Sequence, residues 1–353
     1  MTVHVVAIVG AGIGAEHLAA YRTLPERFRV KTLCDLDAAR AAPLLGEGTT
    51  YAGDMAEVLA DPEISIVDIC LPPHLHLEAA SAALKAGKHV VCEKPLVTSL
   101  ADADLLTQVA GEAGRRVFPV FQYRFGPGTA RLRALLAAGL AGRPLVGTLE
   151  THWNRGAEYY AIPWRGTWAG EQGGAVLGHA IHIHDLLTDI LGPIASVHAE
   201  LATRVNEIET EDCGALALRL ANGALVTSSI TLGAAEDVSR MRLVFDRLTV
   251  ESGTAPYALA QDGWTFTARD PEVQPEVDRI ASEAGADRLG FEGLFAAIAD
   301  ALDGRPGREV TLDEGRRSLE FVTAIYASAR AGTPVTLPLA HSHPLYARWH
   351  PPT

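Results

Sequence analysis

Short continuous apolar runs alternate with runs of helical spacing in the first third of the chain. The continuous runs predict strands buried on both faces, over Val3–Val9, Phe28–Cys34, Ile64–Leu71, Val90–Cys92 and Val117–Phe121. Apolar residues three and four apart predict helices to about Tyr21, over His74–Ala86, and from Ser99 to about Ala113. Such alternation of strand and helix is typical of a doubly wound parallel sheet.

The pattern changes near Gly126. After a predicted helix over Thr129–Ala138, apolar and polar residues alternate, which predicts an antiparallel sheet with one buried face. Its predicted strands are Leu145–His152, Ser196–Thr203, Cys213–Leu220, Ala224–Leu232, Met241–Phe245 and Leu248–Glu251, with a hairpin turn at Asn222-Gly223. The acidic stretch 270–288 contains two prolines and predicts a loop or lid. Two more helices are predicted, over Phe291–Leu302 and from Thr311 to Gly332.

Length and composition bound this organisation. A chain of 353 residues is too long for one core, so we predict two domains, an α/β domain over residues 1–125 and an α+β domain over 126–353. The net charge of −13, with no basic run, argues against nucleic acid or an anionic membrane as partner. Four cysteines without CxxC spacing suggest buried thiols in a reducing compartment. With no room for a signal peptide and no long apolar run, we expect a cytoplasmic protein.

The first predicted strand enters a glycine-rich turn, Gly10-Ala11-Gly12-Ile13-Gly14-Ala15. A G-x-G-x-x-A pattern between a strand and a helix predicts a dinucleotide site, with the pyrophosphate on free N–H groups of the turn. Asp35 follows the second strand, where a carboxylate would bind the ribose hydroxyls and repel a 2′-phosphate. NAD is therefore favoured over NADP, although Arg40 is close in sequence; the alternative for Asp35 is a helix N-cap.

The strand Val90–Cys92 runs into Glu93-Lys94-Pro95. A lysine just past the carboxyl end of a parallel strand stands where open α/β sheets bind ligands. The alternative is a surface lysine with no function. Taken alone, the tripeptide does not decide between the two.

These motifs together resemble those of the glucose–fructose oxidoreductase / inositol dehydrogenase (Gfo/Idh/MocA) family. The resemblance is carried by the glycine turn, Pro72-Pro73-His74-Leu75-His76, Ala86 to Leu96 and Gly173 to Leu187. It implies an N-terminal Rossmann domain with a doubly wound parallel sheet and a C-terminal α+β domain with a large, mostly antiparallel open sheet. It also implies a nicotinamide cofactor between the two domains, and a dimer or tetramer formed through the second domain's sheet. The cofactor-binding residues it implies are Gly10, Gly12, Ile13, Gly14, Asp35, Leu71, Pro72, His76, Glu93, Lys94 and Gln122.

The same resemblance places two residues at the chemistry, Lys94 and His182. The family's Asp-x-x-x-His helix aligns its histidine with His182, whereas Gly178 stands where the aspartate would be and His179 follows it. In an α-helix, Gly178, His182 and Asp185 would share a face. A metal site made of His179, His182 and His184 is the alternative, but no third convergent ligand is evident in the sequence, so we predict no metal.

An aromatic segment, 153–168, contains three tryptophans and two tyrosines. Aromatic faces stack on the C–H surfaces of sugars, and Arg or Asn binds hydroxyls or a carboxylate. The alternative is a segment packed at a subunit interface. The predicted substrate-binding residues are Lys94, Arg124, Trp153, Trp164, Arg165, Trp168, His179 and His182.

We therefore predict an NAD(P)-dependent dehydrogenase that moves a hydride between a secondary alcohol of a sugar or polyol and the nicotinamide. Loss of hydride from a carbinol requires loss of the hydroxyl proton, so a general base is needed. Lys94 and His182 are both candidates for it. Two alternatives stay open: an NAD- and sugar-binding regulator without turnover, and a redox-neutral glycosidase or lyase that regenerates its NAD.

Overall fold

The computed structural model describes residues 2–46, 48–285 and 288–349. Residues 1 and 47 of the first predicted domain, residues 350–353 of the second, and residues 286–287 of the predicted loop therefore lie outside it. The chain divides into two compact units. One contains the residues up to Val120 with Phe291–Leu319, and the other contains Phe121–Gly290 with the residues from Glu320 onward. The division differs from a single boundary after residue 125, because Phe291–Leu319 returns to the first unit.

The strands and helices alternate as follows. The strands are β1 His4–Val9, β2 Phe28–Cys34, β3 Thr50–Ala52, β4 Ile66–Ile69, β5 His89–Cys92, β6 Val117–Pro119, β7 Pro144–Asn154, β8 Ile194–Ala202, β9 Cys213–Leu220, β10 Leu225–Thr231, β11 Gly233–Phe245, β12 Leu248–Glu251, β13 Thr265–Ala268 and β14 Val335–Thr336. The α-helices are α1 Gly14–Arg22, α2 Ala38–Ala41, α3 Met55–Ala60, α4 His76–Lys85, α5 Leu100–Ala113, α6 Pro127–Ala137, α7 Ala157–Tyr160, α8 Ile181–Leu191, α9 Gln274–Glu283, α10 Gly290–Leu302 and α11 Leu312–Ala331. Among the helices described, none is both long and apolar enough to cross a membrane.

The first unit is built on a six-stranded parallel sheet in the order β3-β2-β1-β4-β5-β6, which confirms the predicted doubly wound sheet. The strand order reverses between β1 and β4, and ligands of such sheets bind at the carboxyl ends of the strands at that reversal. Helix α10 also belongs to this unit and packs against α1, where the Phe295 ring of α10 stacks on the Tyr21 ring of α1 with centroids 3.9 Å apart. The glycine turn and Lys94 therefore lie at the ligand-binding edge of one sheet.

The second unit is built on an eight-stranded sheet in the order β13-β12-β11-β7-β10-β9-β8-β14. Among the strands described, only β7 and β10 of this sheet pair in parallel, so the predicted mostly antiparallel sheet is confirmed. The predicted hairpin joins β9 to β10, with Gly223 at φ +90°. Helices α8 and α11 cover one face: His184 Nε2 lies 2.9 Å from Ser228 Oγ, and the Ala199 N–H donates to Ser328 Oγ.

The prediction of a loop or lid over residues 270–288 was wrong for much of that stretch. A 3₁₀ turn at Pro271–Val273 leads into α9, Gln274–Glu283. The Asp270 carboxylate accepts the Glu272 N–H, and both prolines lie in first turns, where a missing N–H costs little. The prolines therefore start helical turns rather than prevent them.

Candidate active site

The glycine turn joins β1 to α1 in a form that only glycine allows at its first position. Gly10 has φ +105°, and a Cβ there would lie 2.4 Å from the Cys70 carbonyl oxygen. At Gly12 a Cβ would meet no described atom within 4 Å, so the backbone is open to a ligand. Within the described chain, the N–H groups of Gly12, Ile13 and Gly14 have no protein acceptor. Donors left at the start of a helix fit a pyrophosphate.

Asp35 is tied to this turn. Its Oδ2 accepts the Ala11 N–H at 2.7 Å, and its Oδ1 accepts the Asp37 N–H at 2.8 Å. The N-cap of α2 is Asp37, so the alternative of Asp35 as a helix cap does not hold. Arg40 Nη1 lies 3.8 Å from Asp35 Oδ2. The carboxylate is thus placed beside the glycine turn, as binding of an adenosine ribose requires.

His76 connects the ends of two strands of the first sheet. Its Nδ1 lies 2.8 Å from the Pro95 carbonyl oxygen and its Nε2 lies 2.8 Å from the Leu71 carbonyl oxygen. The ring is fully buried, and burial lowers the pKa of His76. Its polar atoms are therefore used within the protein, where they hold the segments that follow β4 and β5 against each other.

Lys94 follows β5 and is half-buried, and its backbone N–H donates to Glu93 Oε2 at 2.9 Å. The other oxygen of Glu93 lies 3.1 Å from His17 Nε2. The predicted cofactor residue Glu93 is thus engaged by its neighbour in sequence and by a histidine of α1.

His182, in the second unit, stacks on Tyr123, with centroids 4.8 Å apart and an interplanar angle of 19°. The prediction of one α-helix before it was wrong, because Val176–Ala180 form a π-helical turn ahead of α8. A π turn has a longer repeat than an α-helix, so the four-residue spacing of Gly178 and His182 no longer defines one face. His179 faces another way, edge-on to Trp153 at 5.1 Å.

Two predicted residues lie in the 3₁₀ turn Gln122–Arg124. The buried Arg124 guanidinium forms a two-point ion pair with Asp185 of α8: Nε donates to Oδ2 at 2.7 Å and Nη2 to Oδ1 at 2.6 Å. Arg124 therefore anchors the helix that carries His182. The Gln122 Oε1 atom is buried and has no hydrogen-bond donor among the residues described, which leaves an acceptor for a ligand.

The aromatic segment divides between two environments. Trp153 lies in β7, is buried, and donates its indole N–H to Ser239 Oγ at 3.1 Å. The Arg165 guanidinium lies over the Tyr159 ring at 3.8 Å and, more distantly, over Trp164. Trp168 instead donates its indole N–H to the Glu209 carbonyl at 3.1 Å. The indole N–H of Trp168 is thus bound within the protein, and Trp168 and Arg165 both stay predicted substrate residues.

Sequence analysis missed Arg155 and the residues around it. Its guanidinium lies 4.9 Å from the Trp153 ring centroid and 5.9 Å from that of Tyr257, and its Nη1 donates to Asp237 Oδ2 at 2.8 Å. Arg155 lies inside the aromatic segment 153–168, so its position in the sequence could have indicated a role in ligand binding. Tyr257 and Asp237 are far away in sequence and carry no local signal.

Family models match both units. The model described as an oxidoreductase family with an NAD-binding Rossmann fold matches residues 5–121, and the GFO/IDH/MocA C-terminal domain model matches residues 129–251. The chain belongs to the GFO/IDH/MocA family. This confirms the predicted family, the Rossmann fold with NAD as its cofactor, and the oxidoreductase class. The roles of individual residues stay predictions.

Named relatives are similar to this chain over about two thirds of its length or over nearly all of it. Levoglucosan dehydrogenase of Pseudarthrobacter phenanthrenivorans is 31% identical over 62% of this chain, which spans only 59% of that relative. Inositol 2-dehydrogenase 2 of Saccharopolyspora erythraea is 28% identical over 65% of this chain and 67% of that relative. The structure of the WlbA dehydrogenase of Bordetella pertussis with NADH and UDP-GlcNAcA is 30% identical, with a TM-score of 0.82 over 96% of this chain and 98% of that one.

A buried carboxylate supports the start of the His182 helix. Glu211 Oε1 accepts the Val176 N–H at 3.1 Å and the Tyr326 hydroxyl at 3.0 Å, and both of its oxygens lie 3.2 Å from the Gly174 nitrogen. Burial raises the pKa of Glu211 from 4.5 to about 7, although these hydrogen bonds oppose the rise. We therefore expect this carboxyl group to change charge near neutral pH.

We expect Glu211→Gln to flatten the pH dependence of stability. Because the folded-state pKa lies above the unfolded value, the contribution of Glu211 is complete below pH 4.5 and is lost as the pH rises to about 7. The free energy of unfolding of wild type should fall by about 3 kcal/mol over this pH range. That of Glu211→Gln should not fall in this way, because glutamine does not ionise. Urea unfolding at about pH 5 and pH 8 measures it. Tyr326→Phe, which removes a donor to the carboxylate, should move the window to higher pH. Equal slopes in wild type and Glu211→Gln would refute this assignment.

Proposed function

We propose that this chain is an NAD-dependent dehydrogenase that moves a hydride between a secondary alcohol of a sugar, polyol or close derivative and the nicotinamide. The observation that carries the proposal is the glycine turn, whose free N–H groups and Asp35 carboxylate fit a dinucleotide. Relatives named for levoglucosan and inositol support a carbohydrate substrate. We assign the cofactor to residues 1–125 and the substrate to residues 126–353.

The protein's own part in the reaction is the handling of a proton. Bound NAD supplies the hydride acceptor. Lys94 and His182 are proposed to take up and return the hydroxyl proton, because an ammonium or imidazole group can act as acid or base once it is desolvated or placed beside charge. Lys94 stands past a strand of the first sheet, and His182 is held by the Tyr123 ring in the second unit.

Arg165 favours a substrate that carries an acidic group. Among the described residues, no carboxylate forms an ion pair with its guanidinium. Its Nη1 donates to the Tyr159 carbonyl at 3.5 Å, and its Nε is buried without an acceptor. It rests on Tyr159, a ring that also contacts His179 with centroids 5.7 Å apart. A guanidinium on an aromatic platform suits a carboxylate. The relative solved with UDP-GlcNAcA supports a sugar acid as the substrate class.

A substrate panel tests the function. Purified protein with NAD is given neutral sugars, polyols and sugar acids, and NADH formation is followed by absorbance. We expect turnover, with the highest kcat/KM among the sugar acids. NAD and sugar binding without turnover would support the regulator instead. Release of a leaving group without NADH would support the redox-neutral glycosidase or lyase.

Asp35→Ser should shift cofactor preference toward NADP. The substitution removes a negative charge that would face a 2′-phosphate beside the glycine turn. We expect the ratio of kcat/KM for NADP over NAD to rise by roughly tenfold or more, the equivalent of one charge interaction of about 1.4 kcal/mol. Asp37→Ser, which alters the cap of α2, is the matched control. A wild-type enzyme that already prefers NADP would refute the role of Asp35.

We also propose that copies of the chain associate through the exposed face of the second sheet. Uncharged side chains lie on that face in the central strands β9 and β10, namely Ala215, Ala217, Thr227 and Ser229. A dimer or tetramer in sedimentation analysis would support this, and a monomer would refute it. Cytoplasmic residence is proposed because the cysteines are free thiols, three of them buried.

A further inference from the structure

Three charged side chains are buried together in the first unit. His17 of α1 has its Nδ1 2.9 Å from Asp68 Oδ2 and its Nε2 3.1 Å from Glu93 Oε1. Phe291 and Phe295 of α10 pack against the ring, which has no solvent exposure. Since Asp68 lies in β4 and Glu93 follows β5, one imidazole joins the helix after the glycine turn to two neighbouring strands.

The contacts of the His17 ring are those of an imidazolium. An ionised carboxylate can only accept, so a ring with both nitrogens facing carboxylates must donate from both, and only the charged form does so. Burial is the largest single influence on the pKa of His17 and lowers it, but Asp68 and Cys70 together raise the pKa well above its ordinary value. The cation compensates two carboxylates that would otherwise be buried beside each other without a positive charge.

A metal centre is the other reading of this cluster. Ligand atoms of His17, Asp68 and Cys70 all lie within 4.8 Å of one another. A ligating histidine must be neutral, however, and both His17 nitrogens face carboxylates. Burial raises the pKa of Cys70 to about 12, so the thiol keeps its proton and is a poor ligand. The cluster is an ion-pair network.

This network ends at Lys94. Glu93 Oε1 faces His17, while Glu93 Oε2 accepts the backbone N–H of Lys94 at 2.9 Å. The backbone N–H of Glu93 donates to the Ile69 carbonyl at 3.0 Å, so the main chain is already held to β4. His17 therefore fixes the orientation of the Glu93 carboxylate. The carboxylate in turn fixes the position of the Lys94 backbone N–H, from which the Lys94 side chain extends.

We propose that His17 is a positioning residue: as a buried cation between Asp68 and Glu93, it holds the Glu93 carboxylate on the Lys94 backbone and so places the Lys94 side chain for reaction. The inference rests on the proposed function, in which Lys94 handles the substrate proton. His17 acts through Glu93, and it need not touch substrate or cofactor.

Removal of the His17 charge and removal of the Glu93 charge should change the protonation of the Lys94 amine in opposite directions. Loss of the imidazolium leaves an uncompensated negative charge, which favours the protonated ammonium of a nearby lysine. Loss of the Glu93 charge favours the neutral amine. Titratable groups other than His17 and Glu93 that face the pair are Asp68, Cys70, Tyr21, Cys92 and His76.

The test compares kcat as a function of pH in His17→Gln and Glu93→Gln. Both should lower kcat by roughly tenfold or more, as expected of groups that orient an acid or base, with KM and NAD affinity little changed. The limb of the profile that disappears in Lys94→Ala should move to higher pH in His17→Gln and to lower pH in Glu93→Gln. A structural role alone would lower stability without opposite movements. Limbs that stay in place, or move together, would overturn the proposal.

His4→Gln is the control, because His4 is another histidine of the first unit near a carboxylate, with Nε2 3.5 Å from Asp303, but it is only partly buried and has no contact with Glu93. It should leave the profile unchanged. If His17→Gln does not fold, the charge state of His17 can still be measured in the wild-type protein. With ¹⁵N-labelled histidine, the His17 nitrogens should keep imidazolium shifts from about pH 6 to pH 9. Titration of His17 near neutral pH would overturn the proposal.

Failure of the proposed function gives a different result. If wild type oxidises no sugar, polyol or sugar acid, the dehydrogenase is refuted while the nuclear magnetic resonance measurement still reports the His17 charge. If wild type turns over and the two glutamine variants behave alike, the dehydrogenase stands and the positioning role falls.

Discussion

Lys94→Ala should lower kcat by roughly 10²- to 10⁴-fold, the range expected when an acid–base group is removed. Lys94 follows β5 at the ligand-binding edge of the parallel sheet, and its peptide is held by Glu93. A methyl group can neither accept nor return a proton. NAD affinity should be nearly unchanged, because the glycine turn and Asp35 are untouched. Single-turnover rates and NAD titration measure the two effects separately.

Lys88→Ala is the control for that experiment. Lys88 precedes the same strand at its opposite end, and its Nζ donates to the Asp61 carbonyl at 2.6 Å. Removing it costs a buried hydrogen bond but no group near the glycine turn, so stability should fall while kcat remains. If Lys94→Ala keeps more than half the wild-type activity, Lys94 has no part in the mechanism.

Local signals made the framework predictable. β1 is a continuous apolar run, and the φ of +105° at Gly10 is one that glycine adopts readily. The hairpin at Asn222-Gly223 was equally clear, because its turn needs the positive φ that Gly223 has. Each of these features depends on residues adjacent in sequence. That is why the parallel sheet, the antiparallel sheet and the dinucleotide turn could be predicted without a structure.

Features that depend on distant contacts could not be predicted. The π turn Val176–Ala180 is held by Glu211, which lies on the other side of β8 in the sequence. The guanidinium of Arg124, a predicted substrate residue, pairs with the buried Asp185, a partner that the sequence around Arg124 does not indicate. His17 occupies an ordinary helix position, and nothing near it in sequence indicates two carboxylates. Such pairings arise from strand order and helix packing, which periodicity does not encode.

The contacts around His182 support the acid–base role that we propose for it. The ring is stacked on Tyr123, its helix is tied by Asp185 to Arg124, and the turn before it is bound by Glu211. These contacts hold the imidazole in one orientation, which an acid–base group needs more than a packing residue does. His179, by contrast, is edge-on to Trp153 in a separate aromatic cluster.

His182→Ala should lose about as much kcat as Lys94→Ala, roughly 10²- to 10⁴-fold, and the double variant only slightly more. Two groups that act on one proton form a unit, so removing the second from a broken unit changes little. His179→Ala should have a smaller effect, since its ring packs on Trp153. Treatment with a metal chelator should leave wild-type activity unchanged. Fully multiplicative losses in the double variant would show that the two groups serve separate steps, and activity abolished by chelator and restored by zinc would place a metal where we propose only a proton.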